Sequence, residues 1–479
     1  MARLRDSRIA VVGGAAGGLF ASLLLARAGY HVVLFEQERT EPASDVEAAA
    51  QRAFRASAPQ IVHPHIVMAR CRQLLIERLP DVYQELLAVG VVEVPLSTHM
   101  PPTLAERSAH PGDERLTTLA TRRSTLDWVL ERIVREETNI TVRDGVKVAG
   151  LQATPGKPPH ITGVRTSDGD VGVDLVVDAA GRRSAIEKWL AEIGARPPAT
   201  SWAECGMAYF TRHYRVRPDA PLPGPATSRL VVGLDEFTAG VWGADNGVLQ
   251  LAVAPLATDR RFRALKRPEV HTAVLRTVPQ IASWLDGLEP VSGVYQMAGL
   301  HNTMRRLVVN GAPIVTGLHA VGDSVCTTNP TLGRGLTLAL SGAVDLVTTI
   351  ETIGDDWVAQ ALTLDDLVGE HVQPFYEDQA EIDGGRLAML RHTVECTPAP
   401  EPPPSRTDRV TYAQLRGAAM FDATAFRAFW TVQGMVRRPQ EVYADPEVIS
   451  AVHDTLEHHK DDPAMPQPTR DQVLAALAC

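Results

Sequence analysis

A cluster of glycines near the start of the sequence is the first feature with a clear chemical use. Residues 11–18 read VVGGAAGG, and an acidic residue, Glu36, follows 18 residues after Gly18. A glycine-rich turn of this kind lets the chain leave a strand sharply and begin a helix whose free N–H groups attract a pyrophosphate. The spacing predicts that Gly13 forms the turn, that Gly18 lets the helix pack closely, and that Glu36, with Gln37 beside it, binds an adenosine ribose.

One position of this motif departs from the usual pattern. Ala15 stands where the middle glycine of G-x-G-x-x-G is expected, and its methyl group crowds a pyrophosphate slightly. Gly14 and Gly17 keep the loop lean, so we expect the backbone at Ala15 and Ala16 still to approach a dinucleotide. The alternative is a structural turn between a strand and a helix that binds no ligand.

The elements around the glycines are those that such a site needs. Residues 8–12 form a short apolar run, which is typical of a buried parallel strand. Residues 19–29 are rich in helix formers and end at a glycine, and residues 31–35 form a second apolar run before Glu36. Strand, turn, helix, strand and acid together predict a βαβ unit.

Two later stretches have the same organisation of an apolar strand that ends in polar residues. Residues 174–184 read DLVVDAAGRRS, and residues 317–335 read GLHAVGDSVCTTNPTLGRG before a long apolar helix. A Gly-Asp pair at the end of a strand puts a carboxylate at the edge of a parallel sheet where ligands bind. The candidate binding residues in these two stretches are Asp178, Gly181, Arg182, Gly322, Asp323, Pro330, Gly333, Arg334, Gly335 and Leu336.

Composition limits the classes of partner. The chain has 479 residues, 45% hydrophobic and 22% charged, with a net charge of -10, which predicts two or three globular domains and argues against nucleic acid or an anionic membrane as the main partner. The cysteines are scattered, odd in number and without a C-x-x-C pair, which indicates a reducing cytoplasm and no disulfide framework. We expect no transmembrane span.

The patterns along the chain predict four parts. Residues 1–198 and 304–355 carry the α/β patterns and are expected to form one domain from separated segments. Residues 199–303 are β-rich and predict an inserted antiparallel sheet that binds substrate. Residues 356–479 are mostly helical and contain a proline-rich linker, TPAPEPPP, at 397–404.

The three motifs together resemble those of FAD-dependent monooxygenases of the aromatic-hydroxylase and epoxidase superfamily, over about residues 7–350. The resemblance implies an α/β fold with a Rossmann-like, three-layer ββα FAD-binding domain, a β-sheet substrate domain and a helical C-terminal extension. It also implies that Glu36 holds the adenosine ribose of FAD and that Asp323 holds the ribityl chain. Arg123 would lie along the phosphates, and residues 330–335 would flank the pyrimidine edge of the flavin, where a helix N-terminus stabilises negative charge.

Three comparisons with branches of this family bear on the chemistry. Ala180 stands where aromatic hydroxylases have an aspartate linked to both FAD and NAD(P)H. Residues 55–65 (RASAPQIVHPH) are similar to a segment of bacterial polyether-type epoxidases that lies close to the flavin. This similarity makes Arg55 and His65 the candidate catalytic residues and Arg55 a candidate cofactor-binding residue as well. The Trp-x-Trp-x-Ile-Pro signature of flavin-dependent halogenases is absent.

The activity that the resemblance implies is the transfer of one oxygen atom from O2 to a small organic substrate, expected to be hydrophobic, through a C4a-hydroperoxyflavin. NAD(P)H would reduce the flavin, directly or through a partner flavin reductase. Two other activities stay open: a halogenase, which would need a lysine near the flavin, and a non-oxygenating flavoprotein such as a prenyl reductase or cyclase. Tyr209, Phe210, Trp242 and Met297 are candidate walls of the substrate pocket.

Several of these residues have simpler explanations. His63 and His65 could share one side of an extended segment and bind a metal, but no third ligand stands out, and a structural role is the commoner case. Cys326 could be redox-active or merely a small buried residue. Asp323 could serve merely as a helix cap rather than as a ligand-binding residue, and Arg182 could be exposed to solvent at the surface.

Overall fold

The computed structural model describes residues 7–39, 41–55, 58–401 and 407–479. Ala56 and Ser57, from the segment that resembles the epoxidases, and residues 402–404 of the proline-rich linker lie outside the described residues. The elements of the first part of the chain are β1 (Arg8–Val12), α1 (Ala16–Arg27), β2 (His31–Glu36), α2 (Val46–Gln51), β3 (Ile66–Val67), α3 (Ala69–Arg78), α4 (Pro80–Ala88), β4 (Val92–Val94), β5 (Thr118–Ala120), α5 (Arg123–Glu136), β6 (Ile140–Asp144), β7 (Val148–Thr154), β8 (His160–Thr166), β9 (Gly169–Gly172), β10 (Leu175–Asp178) and α6 (Ile186–Glu192).

The β-rich part and the return to α/β structure follow. Their elements are β11 (Ala199–Glu204), β12 (Tyr209–Val216), β13 (Arg229–Gly233), β14 (Phe237–Gly243), β15 (Val248–Pro255), α7 (Pro268–Thr277), α8 (Pro279–Ala282), β16 (Leu288–Met297), β17 (His301–Arg306), β18 (Val308–Val309), β19 (Ala312–Pro313), β20 (Leu318–Ala320), β21 (Cys326–Thr327) and α9 (Gly335–Ile353).

The C-terminal part is helical in the residues that the structure describes. Its elements are α10 (Trp357–His371), α11 (Gln373–Glu395), α12 (Tyr412–Ala418), α13 (Ala423–Gln433), α14 (Pro439–Tyr443), α15 (Pro446–His458) and α16 (Arg470–Ala478). Helix α16 returns to the β-rich part and buries Val473 and Leu477 in its core.

The parallel sheet that the βαβ pattern predicted has the strand order β20-β10-β1-β2-β6. On one face, Val11 and Leu34 pack in a core shared with α1, α5 and α9. On the other face, Val12 and Phe35 pack against the small antiparallel sheet β7-β8-β9. Helices, parallel sheet and second sheet make three layers, so the predicted ββα architecture is confirmed.

A second, larger sheet is antiparallel, with the order β13-β14-β15-β12-β16, as the alternating patterns predicted. The predicted division into domains stays a prediction at its boundaries, and one boundary, at residue 303, falls inside β17. That strand pairs with β11 and β21, so it joins the β-rich part to the returning α/β part.

Helix α9 is the one helix of the described residues that is long and apolar enough to cross a membrane. It packs against α1 and α10, and 56% of its most apolar stretch is buried inside the protein. All five cysteines are free; Cys71, Cys205 and Cys326 are buried, and Cys396 and Cys479 are exposed.

Candidate cofactor site

A cavity of about 310 Å³ lies at the carboxyl edge of the parallel sheet, where the strand ends of β1, β2, β10 and β20 meet the N-termini of α1 and α9. This edge is where α/β proteins of this type bind ligands. The residues predicted from the sequence that line it are Gly13, Ala15, Ala16, Glu36, Gln37, His65, Arg123, Gly181, Arg182, Gly322, Asp323, Pro330, Gly333, Gly335 and Leu336.

The glycine turn needs its glycines for two different reasons. Gly13 has φ +110°, and a Cβ placed there would lie 2.4 Å from the carbonyl oxygen of Ala179 on β10. Gly18 does not line the cavity, and a Cβ there would lie 1.8 Å from the carbonyl oxygen of Gly13. Gly13 therefore permits the turn, whereas Gly18 serves the close packing of α1 on the turn and is not in contact with the cavity.

The N-terminus of α1 offers free backbone donors to the cavity. No side chain caps this helix, and its first turn contains no acidic residue. The first amide used within the helix is that of Leu19, which donates to the carbonyl oxygen of Ala15 at 3.0 Å. The amides of Ala16 and Gly17 precede it and belong to residues that line the cavity. This positive helix end, without a counter-charge, suits a phosphate group.

The Glu36 carboxylate is held at the cavity by two backbone amides. Its Oε2 accepts a hydrogen bond from the Gly14 amide and its Oε1 from the Glu38 amide, each at 2.8 Å. Each carboxylate oxygen keeps a second lone pair, so Glu36 can also accept hydrogen bonds from the hydroxyls of a ribose.

The Asp323 carboxylate is a hydrogen-bond acceptor that receives no hydrogen bond from the described residues. Asp323 follows β20 and lines the cavity, and its carboxylate accepts no hydrogen bond and makes no ion pair within the described residues. No backbone amide reaches it, so it does not cap a helix here. Burial raises the pKa of Asp323, while Arg123 and Arg182 favour the charged form. An acceptor left open in a cavity is a place for a ligand hydroxyl.

The loop at residues 330–335 brings a second helix N-terminus to the cavity. Gly333 takes a left-handed conformation, φ +71°, and the chain then enters α9 at Gly335. The first amide used within α9 is that of Leu338, which donates to the carbonyl oxygen of Arg334 at 3.0 Å. Gly335 and Leu336 therefore line the cavity with amides that have no partner inside the helix.

Asp178 and Arg55, both predicted to bind the cofactor, do not line the cavity. Asp178 is fully buried, and its carboxylate accepts hydrogen bonds from the Ala180 amide at 3.0 Å and the Ser184 hydroxyl at 2.5 Å. These two hydrogen bonds stabilise the turn that follows β10. Arg55 forms an ion pair with Glu131 of α5 at 2.5 Å, so its charge is already neutralised away from the cavity.

Arg334, the other exception, turns away from the cavity into the C-terminal helices. Its guanidinium is 1% exposed, donates to the carbonyl oxygen of Phe375 at 2.7 Å and forms an ion pair with Asp378 of α11. The hydroxyl of Tyr443, on α14, donates to the same carboxylate at 2.8 Å. Arg334 therefore holds the loop on the side that faces the C-terminal helices. The sequence predicted instead that Arg334 would contact the cofactor.

The same loop has two further anchors that no pattern in the sequence indicates. The side-chain amide of Asn329 donates to the Asp383 carboxylate of α11 at 2.8 Å, and that carboxylate also accepts from Asn302 at 2.7 Å. The side-chain amide of Gln433, at the end of α13, donates to the carbonyl oxygen of Leu332 at 2.7 Å. All of these groups are buried, so the C-terminal helices fix the cofactor loop at three points.

His65 lies at the cavity as a neutral imidazole. Its Nδ1 donates to the carbonyl oxygen of His63 at 2.8 Å, which leaves Nε2 as the acceptor. Burial, with a smaller contribution from the nearby Arg123, lowers the pKa of His65 to about 4. At neutral pH this side chain can accept a hydrogen bond but carries no proton to donate from Nε2.

The metal alternative for the two histidines has no support in the part of the chain that is described. The Nδ1 atom of His63 is bonded to the Thr211 hydroxyl at 2.8 Å, and no group of three metal-binding side chains is present there. Cys326 packs among Met304 and Leu338 and does not line the cavity. Burial raises its pKa above the ordinary range of a thiol.

Further lining residues were not among the predicted set. They are Val12, Gly14, Gly17, Phe35, Ala58, Gln60, Pro64, Val146, Lys147, Val148, Ala179, Ala180, Arg183, Ala185, Trp189, Leu300, Val321, Thr327, Thr328 and Ala339, together with Met297, which was a candidate wall of the substrate pocket. Tyr209 and Phe210 are buried and do not line this cavity. Val146 and Trp189 belong to the layer of β7 and α6, whose approach to Glu36 depends on long-range packing.

Fold and cavity together define the FAD-binding fold that flavin-dependent monooxygenases and halogenases share. The flavin-dependent brominase Bmp2 superimposes with a TM-score of 0.63 and 14% identity, over 96% of this chain and 100% of that one. PqsL, a probable FAD-dependent monooxygenase from Pseudomonas aeruginosa, gives 0.55 and 16%, over 81% and 96%.

Sequence comparison adds one curated relative. Protein Rv3254 of Mycobacterium tuberculosis is 26% identical over 356 residues, which are 68% of this chain and 69% of that protein. No family model matches the sequence. These identities are low, so the comparisons establish the fold, and the activity is a matter of the site.

Proposed function

We propose that this protein is an FAD-dependent monooxygenase that transfers one oxygen atom from O2 to a small organic substrate, by hydroxylation or epoxidation. The observation that carries the proposal is the single cavity in which two helix N-termini and an unpartnered carboxylate, that of Asp323, meet the ribose-type acceptor Glu36. This set fits the adenosine, the pyrophosphate and the ribityl hydroxyls of FAD.

Different residues of the chain would hold different parts of the cofactor. The amides of Ala16 and Gly17 would hold the pyrophosphate, Glu36 the ribose and Asp323 the ribityl chain. The amides at the start of α9 would face the pyrimidine edge, where negative charge develops on reduction. FAD, when bound and reduced, would supply the electrons for activation of O2.

The lining of the cavity favours a reaction that is protected from water. Met297 and Leu300 add apolar surface to the wall of the cavity, and His65 contributes a neutral acceptor at the same cavity. An apolar wall excludes water, which otherwise diverts reactive oxygen species. His65 would orient a donor group of the substrate or of the cofactor rather than transfer a proton.

The lysines favour a monooxygenase over a halogenase. The chain contains Lys147, Lys157, Lys188, Lys266 and Lys460, and the structure exposes all of them at the surface. Only Lys147 lines the cavity, next to Val146, whose amide donates to the Glu36 carbonyl at the adenosine end. The lysine that the halogenase alternative needs beside the flavin therefore has no counterpart, although Bmp2 shares the fold.

Asp323→Ala should weaken FAD binding by roughly 10- to 150-fold, because it removes a charged hydrogen-bond acceptor worth about 1.5–3 kcal/mol. Quenching of flavin fluorescence during titration of the apoprotein measures the dissociation constant. Asp168→Ala, at an exposed turn, is the matched control and should bind as the parent does. An unchanged constant for Asp323→Ala would contradict our placement of the ribityl chain.

We expect NADH or NADPH to reduce the bound flavin directly, with the nicotinamide bound weakly. The described parallel strands form one sheet with one glycine turn, so a separate nicotinamide-binding unit is absent from that part of the chain, and Ala180 replaces the nicotinamide-linked aspartate. Anaerobic stopped-flow mixing should bleach the flavin within seconds. Bleaching only after a flavin reductase is added would show that a partner supplies the electrons.

Oxygen consumption separates the proposal from a non-oxygenating flavoprotein. A monooxygenase consumes O2 in step with product, and the product carries the ¹⁸O label when ¹⁸O2 is supplied. Product formed without O2 uptake would identify a reductase or a cyclase.

A further inference from the structure

Arg229, the first residue of β13, is a cation without a counter-charge. Its side chain makes no ion pair and no hydrogen bond within the described residues, and its guanidinium carbon lies 6.0 Å from the centroid of the Trp430 ring. Part of its surface remains accessible to solvent, yet burial lowers its pKa to about 10. Arg229 is therefore partly reachable by solvent but poorly hydrated.

The residues around Arg229 leave a second polar atom free. His99 stacks on Trp430 with ring centroids 4.0 Å apart, and its Nε2 is buried without a hydrogen-bond partner. Burial, with a smaller contribution from Arg229, lowers the pKa of His99 to about 3, so the imidazole is neutral. An unpaired guanidinium and an unsatisfied imidazole nitrogen against the same indole are costly unless a ligand satisfies them.

Neighbouring arginines add to the positive field and do not neutralise it. Arg416, which donates to the carbonyl oxygen of Val231 at 3.0 Å, and Arg386, which donates to that of Leu234 at 2.8 Å, also make no ion pair within the described chain. Arg416 lowers the pKa of both Arg229 and Arg386. Both of these arginines donate to carbonyl oxygens through a terminal nitrogen, although Nε of Arg386 has no partner. Arg229 is the one of the three whose guanidinium makes no hydrogen bond within the described residues, so it is the group positioned to take an anion.

Trp430, which lies beside Arg229, belongs to a helix that contacts the cofactor loop. Trp430 lies on α13 one turn before Gln433, which donates to the Leu332 carbonyl in that loop at 2.7 Å. Residues three apart on a helix lie about 5 Å apart along its surface. An anion held beside Trp430 would therefore sit next to the loop that, in our proposal, borders the flavin.

We propose that Arg229, His99 and Trp430 form a subsite that binds the carboxylate of an organic acid, and that this acid is the substrate class of the enzyme; the second part rests on the proposed function. A carboxylate matches the guanidinium fork through two parallel hydrogen bonds and brings the one negative charge that Arg229 lacks. Phe429, which is only partly buried beside Trp430, offers apolar surface to the body of such an acid.

Isothermal titration calorimetry tests the subsite with three carboxylates (1-naphthoate, benzoate and decanoate) and their neutral amides. The parent should bind at least one acid ten or more times as tightly as its amide. Arg229→Met should remove that preference, because a lost charged hydrogen bond costs a factor of roughly 10 to 150 in affinity. Arg229→Lys keeps the charge without the fork and should fall between the two. Arg276→Met, at an exposed ion pair of the same sheet domain, is the control and should leave the preference intact.

A second readout needs no ligand. Arg229→Met removes an unpaired buried cation, so its melting temperature should equal or exceed that of the parent. No preference for any of the acids in the parent, preference retained in Arg229→Met, or a lower melting temperature for that variant would each overturn the subsite. FAD affinity, measured on the same samples, should be unchanged in Arg229→Met, and failure of the parent to bind FAD would overturn the proposed function while the acid titrations still decide the subsite.

Discussion

Gly13→Val should abolish FAD binding, the largest effect that we expect from any single substitution at the cavity. The residue has φ +110°, which a β-branched side chain does not tolerate, and its Cβ would lie 2.4 Å from the Ala179 carbonyl oxygen. Either the turn or the neighbouring strand β10 must move, and the α1 amides then no longer meet the pyrophosphate. We expect affinity to fall by more than about 100-fold, equivalent to roughly 3 kcal/mol, in a fluorescence titration.

Two further glycines separate a local effect from a general loss of folding. Gly29 has φ +97° but has no atom within 4 Å of a Cβ built there, so Gly29→Ala carries backbone strain without a clash and should bind FAD normally. Gly17 has an ordinary backbone and an ordinary 3.7 Å contact at Cβ, so Gly17→Val should fold and still block the cavity. FAD affinity equal to that of the parent in folded Gly13→Val and Gly17→Val would mean that the pyrophosphate binds elsewhere.

Asp378→Ala should destabilise the C-terminal helices by about 3–5 kcal/mol, because it leaves the Arg334 guanidinium, which is 1% exposed, without its counter-charge. It also removes the acceptor of the Tyr443 hydroxyl. Urea unfolding followed by circular dichroism measures the loss. Since Arg334 precedes α9 directly, FAD binding should weaken as well, although Asp378 does not line the cavity.

An exposed ion pair supplies the comparison. Asp286→Ala breaks the pair with Arg276, whose two side chains are 70% and 50% exposed, and should cost less than about 1 kcal/mol. Equal losses for Asp378→Ala and Asp286→Ala would show that the buried pair contributes no more than a surface pair.

The sequence predicted the parts of the site that depend on local chain geometry. The turn at Gly13, the strand before Asp323 and the helix that starts at Gly335 are each specified within about ten residues, because turn, strand and helix patterns are local. Arg334 was assigned to the cofactor on the same local grounds. Its real partner, Asp378, is 44 residues further along the chain, and only tertiary packing brings the two together.

The residues behind the cavity could not have been found in this way. Asn329 and Asp383 are 54 residues apart, and Leu332 and Gln433 are 101 apart. Neither pair follows a periodicity, and amides and carboxylates are ordinarily surface residues. The helical nature of the C-terminal part was predictable from its composition, whereas its attachment to the cofactor loop was not.

That attachment links ligand binding to the folding of a distant part of the chain. Asp378 and Asp383 of α11 and Gln433 of α13 all bind one short loop, and the other side of that loop lines the cavity. If docking of the C-terminal helices favours the loop conformation that binds the cofactor, docking strengthens cofactor binding. Bound cofactor must then stabilise the docked helices by the same free energy. The C-terminal helices therefore act as a thermodynamic part of the binding site, although they contribute no atom to its surface.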